Sequence, residues 1–146
     1  MPQPDPPETE PARTAGPAER AAQAAQAAID RVHADPRQAR ALATRALGLA
    51  RRERDPAARS MAYRALGLAA HSLNDLDGAL GLAAHELGDL AAALTALHAA
   101  VRVADSAGLA APAGQARMSR AFVLLSQGRT GAALRDAEAR RTGQPN

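Results

Sequence analysis

With 146 residues and a mass of 15.0 kDa, the chain has room for one modest domain. Alanine supplies 41 residues and leucine 17, against one Tyr (Tyr63), one Phe (Phe122) and no Trp; the β-branched and aromatic stock of sandwiches and barrels is scarce, so an all-α fold is expected. Zero Cys excludes a disulfide framework, a thiolate zinc site and a cysteine nucleophile, and although all 18 basic residues are Arg the net charge is only +3.

Residues 1–17 hold six of the ten prolines with Asp5, Glu8 and Glu10 and no apolar periodicity. Proline this dense fixes φ and removes amide donors, so a disordered tail is expected. It has no basic start followed by an apolar run, as a secretory signal would, and no apolar run in the chain approaches the ~20 residues of a membrane span. A cytoplasmic protein is the default expectation.

From residue 18 the chain reads as helix after helix. Ala18–Ala34 is nearly all Ala, Gln and charge, strong helix formers. It stops at Asp35-Pro36, which restarts a helix: Asp accepts amide hydrogen bonds as an N-cap, and Pro in the first turn loses no needed bond. The second helix, Pro36–Arg54, places Ala39, Leu42, Ala43, Ala46, Leu47, Leu49 and Ala50 on one face. Asp55-Pro56 repeats the start signal for a third helix through Leu73. Asn74-Asp75 predicts a turn and then a short helix over Leu76–Leu87, which would reverse the last hairpin. Later breaks are expected at Gly88-Asp89, at Ser106-Ala107-Gly108, before Pro112 and at Gln127-Gly128. Short turns between such helices imply antiparallel hairpins. The expected organisation is a helical domain over 18–141, about six or seven helices, between the tail and a disordered end at 142–146.

Charge falls in blocks. Residues 37–59 hold seven Arg against Glu53 and Asp55, 65–101 hold four acids and no Arg, and 102–146 hold seven Arg against three acids. Alternating blocks suit a protein-binding surface better than a continuous phosphate-tracking stripe, and no aromatic platform accompanies the Arg blocks, so nucleic acid is not the expected partner. Arg51-Arg52 and Arg54 lie at a helix C-terminus, where positive charge offsets the dipole.

Two repeats overlie this pattern. Ala65-Leu66-Gly67-Leu68-Ala69-Ala70-His71 recurs as Ala79-Leu80-Gly81-Leu82-Ala83-Ala84-His85, and agreement runs on to Leu76 and Leu90, at an offset of 14. A longer repeat sets a small residue midway along one helix, then a turn, then Ala-rich positions in the next; its markers fall at 27, 67, 81 and 121, forty apart on either side of the duplication. Periods in this range signal a helical solenoid.

Leu66-Gly67 or Leu80-Gly81, followed by Gly88-Asp89, Ala93, Leu97 and Ala100, resembles a tetratricopeptide repeat, in which a first-helix Gly admits the second helix closely and small residues face it. Gly81 and Ala93 are expected to be close-packing positions. The usual aromatic is Ala70 or Ala84 here. The stretch from Gly114 to Gly128, with Gly131-Ala132-Ala133-Leu134, resembles the repeat region preceding the caspase-like peptidase domain of actinobacterial CHAT-domain proteins; Arg120 stands where that family usually has an aliphatic residue. The resemblance covers about residues 18–141 and lacks the peptidase domain. It implies a right-handed solenoid, detached from its peptidase, acting as a non-enzymatic scaffold that binds a peptide or partner domain in its groove, with a CHAT-type peptidase domain encoded nearby as one such partner. A sensor region of an ATP-dependent transcriptional activator is the alternative.

Outward positions by periodicity include Arg64, His71, His85, Gln115 and Ser126, the candidate partner-binding residues. His33, His71, His85 and His98 are the only imidazoles. His85-Glu86-Leu87-Gly88-Asp89 has Asp where a metalloprotease helix needs its second His. No phosphate loop or nucleophile elbow exists, so no metal, cofactor, small-molecule substrate or catalytic residue is expected.

Overall fold

The Asp-Pro steps organise the N-terminal half. The computed structural model of the chain describes residues 2–3, 16–79, 86–127 and 130–143. Helix α1 (Pro17–Arg31) opens with the Gly16 amide donating to Glu19 Oε2 at 3.1 Å. Asp35 Oδ1 accepts from the Gln38 amide at 3.0 Å and starts α2 (Pro36–Arg52). Arg54 then takes a left-handed conformation, φ 51°, so that the Asp55 amide reaches back to the Ala50 carbonyl at 2.9 Å. Asp55 Oδ1 in turn accepts from the Ala58 amide at 3.1 Å as α3 (Pro56–Ala79) begins. Helices α4 (Glu86–Ser106), α5 (Ala110–Ser126) and α6 (Thr130–Thr142) follow. The α4–α5 turn uses Gly108 at φ 69°, with the Leu109 amide on the Ala104 carbonyl at 2.9 Å.

The fold is all-α, with six helices and no strand among the described residues. Each helix packs on its chain neighbour, and α1, α3 and α5 also lie side by side. Alanine periodicity builds the first half as four tiers, each taking one residue from α1 or its C-cap Val32, one from α2 and one from α3. These are Ala21–Ala50–Ala58, Ala25–Ala46–Ala62, Ala28–Ala43–Ala65 and Val32–Ala39–Ala69, none more than 2% exposed. The numbers rise along α1 and α3 and fall along α2, as antiparallel packing requires. Methyl-sized side chains let the three backbones approach closely.

The third helix does not stop where expected. It runs without a break through Asn74-Asp75 to Ala79. Turn-forming residues are only a weak prior against helix, of about 1 kcal/mol each, and packing against α4 overrides it. Gly88-Asp89, expected as a turn, lies in the first turn of α4. Since α3 pairs directly with α4, the expected short helix over 76–87 and the reversed last hairpin are both set aside. Residues 80–85, with Gly81 and His85, lie outside the described residues, as do the expected turn residue Gly128 and positions 4–15 and 144–146 of the two ends.

In the first copy of the duplication, Gly67 is a close-approach position. A Cβ on Gly67 would stand 2.6 Å from Leu97 Cγ and 2.9 Å from the Ala93 carbonyl oxygen. Leu97, Ala93 and Ala100 are fully buried, and Ser60 Oγ donates to the Ala100 carbonyl at 2.8 Å.

In the C-terminal half, ion pairs enter the core. Arg120, 6% exposed, donates from Nε to Asp136 Oδ2 at 2.6 Å and from Nη2 to Oδ1 of the same carboxylate. Its Nη1 lies 2.8 Å from His98 Nδ1. A guanidinium has no acceptor, so His98 accepts and carries its proton on Nε2. Burial, then the Arg120 charge, lower the His98 pKa below its usual value; Arg102 adds to this and Asp136 opposes it. One turn earlier on α5, Arg117, 3% exposed, reaches Asp105 Oδ2 at 2.6 Å.

Candidate functional site

Helices α3 and α5, with His33 of the α1–α2 turn and Arg140 of α6, bound a cleft of about 420 Å³ lined by these two and by Arg64, Leu68, Gln115, Met118, Ser119 and Phe122. Residues 64 and 68 stand one turn apart on α3, and 115, 118, 119 and 122 follow the same helical spacing on α5. Arg64 crosses between the helices: Nε donates to Ser119 Oγ at 3.0 Å and Nη1 to Gln115 Oε1 at 3.3 Å. Both partners are neutral, so they orient the guanidinium without cancelling its charge. Burial lowers the Arg64 pKa from its usual value, yet a guanidinium stays protonated at any relevant pH. At the rim, Arg140 reaches in from α6 across Gly114, where a Cβ would meet Arg140 Cγ at 3.3 Å.

Beside this charge runs an apolar stripe. Met118 is 40% exposed, and Phe122 and Leu125 are each 52% exposed. Their spacing of four and three residues puts them on one face of α5. Single exposed apolar residues need no explanation, but three aligned large ones beside a cleft form the kind of patch that interaction surfaces expose. The cleft therefore offers apolar contact with a fixed positive charge at its edge.

The positions chosen by periodicity divide. Arg64 and Gln115 meet in the cleft. His71 does not face outward: it is 3% exposed, with its ring edge-on to Phe122 at 5.4 Å and 90°. An imidazole is apolar enough on its faces to be covered by a neighbouring ring, and His71 supports Phe122 from below. Ser126 is exposed, but its Oγ donates to the Val123 carbonyl at 2.7 Å and finishes the last turn of α5. His85 lies outside the described residues. Phe122, Met118 and Leu68 were missed, although the only Phe of the chain, one turn after a Met, was the available signal.

Among the described residues no three His, Asp or Glu side chains gather as a metal site, and no helix is long and apolar enough to cross a membrane. Comparison with protein-family models, with curated proteins and with solved structures finds no match for this chain.

Proposed function

We propose that the chain is a non-enzymatic interaction module of tetratricopeptide-like architecture, binding a protein segment in the cleft between α3 and α5. The observation that carries this reading is the exposed Met118–Phe122–Leu125 stripe beside the held guanidinium of Arg64. The side-by-side packing of α1, α3 and α5, with their chain neighbours behind, supports the repeat architecture. The segment that fits presents an apolar side chain to Phe122 and Met118 and a carboxylate to Arg64. A CHAT-type peptidase domain encoded nearby is a candidate source of such a segment.

The test is selection from a displayed library of short random peptides. Recovered sequences are expected to combine an apolar residue with nearby Asp or Glu. Phe122→Ser and Arg64→Gln should each weaken their binding by about tenfold or more, as a central contact does. Failure to recover any binder, or binders indifferent to both substitutions, would contradict the proposal.

A further inference from the structure

A second cleft, of about 430 Å³, lies between α2, α3 and α4. It uses Arg59 and Tyr63 of α3, whereas the first uses Arg64 and Leu68. Successive residues of a helix differ by about 100°, so the two clefts open on different sides of α3. Its polar lining is Arg51, Arg59, Tyr63, Arg102 and Ser106, with no carboxylate.

Three arginines, one each from α2, α3 and α4, line this cleft. Arg51, in the last turn of α2, donates from Nη2 to the Tyr63 hydroxyl at 2.8 Å, and its Cζ lies 6.0 Å from the Tyr63 ring centroid. Arg59 Nε is buried without a hydrogen-bond partner. Arg102 comes from the face of α4 that also supplies Ser106. None of the three belongs to an ion pair among the described residues, unlike Arg117 and Arg120. Offsetting a helix dipole explains a positive charge at the end of α2, but not its convergence with Arg59 and Arg102 from two other helices. Like charges gathered in one concavity raise the local potential and favour an anion there.

We propose that this cleft binds a small molecule through a diphosphate group. A single phosphoryl group carries about −1.5 to −2 at neutral pH, so three guanidinium charges are better matched by two linked phosphates than by one. Guanidinium forks suit phosphate oxygens, and the Tyr63 hydroxyl holds one of them in place beforehand. Ala99 and Val103 add apolar wall beside the charges, and the volume lies in the range of small-ligand sites. The site is independent of the peptide cleft and stands if that reading fails.

The test is calorimetric titration of the full chain with pyrophosphate, and with a singly phosphorylated phosphoserine peptide, at constant ionic strength. Pyrophosphate is expected to bind saturably at one site per chain, at least about tenfold more tightly than the peptide. Arg59→Gln and Arg102→Gln should each cost about tenfold or more in affinity, the scale of a charged hydrogen bond, while Arg64→Gln leaves binding unchanged. Because Arg102 is exposed, its variant tests the site even if Arg59→Gln does not fold. No saturable pyrophosphate binding, several weak equivalent sites, tighter binding of the phosphoserine peptide, or affinity unchanged in Arg102→Gln would each overturn the proposal.

Discussion

The first three helices and the last two solve the same packing problem with different chemistry. Between α1, α2 and α3 the contact is alanine on alanine in three of four buried tiers, with Val32 in the fourth. Around α5 the buried positions include Arg117 and Arg120, each matched by a carboxylate on a neighbouring helix. A small-residue seam gains stability by bringing backbones together and tolerates no added volume. A buried ion pair gains little net stability, because desolvation offsets attraction, but it penalises any arrangement that separates the partners. The halves should therefore respond to opposite kinds of substitution.

The largest effect is expected at the buried pair. Asp136→Leu leaves the Arg120 charge uncompensated and should lower stability by about 3–5 kcal/mol in urea denaturation. Adding Arg120→Met to the same chain should restore most of that loss, since a well-packed apolar pair can replace a buried ion pair. If the double variant is as unstable as the single one, the charge is not what the site penalises.

In the first half, volume is the sensitive quantity. Ala62→Leu should overpack its tier and cost about 1–3 kcal/mol, and Gly67→Ala should cost a similar ~1–3 kcal/mol because the new methyl meets Leu97 and the Ala93 carbonyl. Ala41→Leu, on the exposed face of α2, should change stability by less than about 0.5 kcal/mol. Thermal or urea melts separate these outcomes, and a neutral Ala62→Leu would show the tiers to be loose.

The smallest effect is a pH dependence confined to the second half. The folded-state pKa of His98 lies below its usual value, so the unfolded chain binds the extra proton first. The associated stability is present above about pH 6.5 and is lost as pH falls from there through the folded pKa. His98→Gln should flatten the dependence of the urea midpoint on pH in that window. A midpoint that rises on acidification through the same window would contradict the sign.

How much of this was legible in the sequence follows the same division. The alanines at 39, 43, 46 and 50 repeat at helical spacing, so local periodicity exposes the face that α2 buries, and Asp35-Pro36 and Asp55-Pro56 mark starts by chemistry internal to each turn. The Arg120–Asp136 pair joins two helices 16 residues apart in sequence and has no local signature. Asn74-Asp75 misleads because backbone preferences worth about 1 kcal/mol yield to interhelical packing that local sequence does not reveal. Helical phase gives His71 an outward direction but does not show the ring of Phe122 that packs against it. In the cleft, Arg64 and Gln115 were legible as polar positions, whereas the Met118–Phe122–Leu125 stripe has the spacing of a core face and only tertiary structure shows it exposed.

The claim that function resides in the cleft between α3 and α5 is tested most directly by mapping backbone amide chemical shifts on titration with a peptide selected for binding. The account predicts the largest shifts at Arg64, Leu68, Gln115, Met118 and Phe122, with Arg59 and Arg102 unaffected. Shifts centred on α2 and α4, or spread evenly over the six helices, would contradict it.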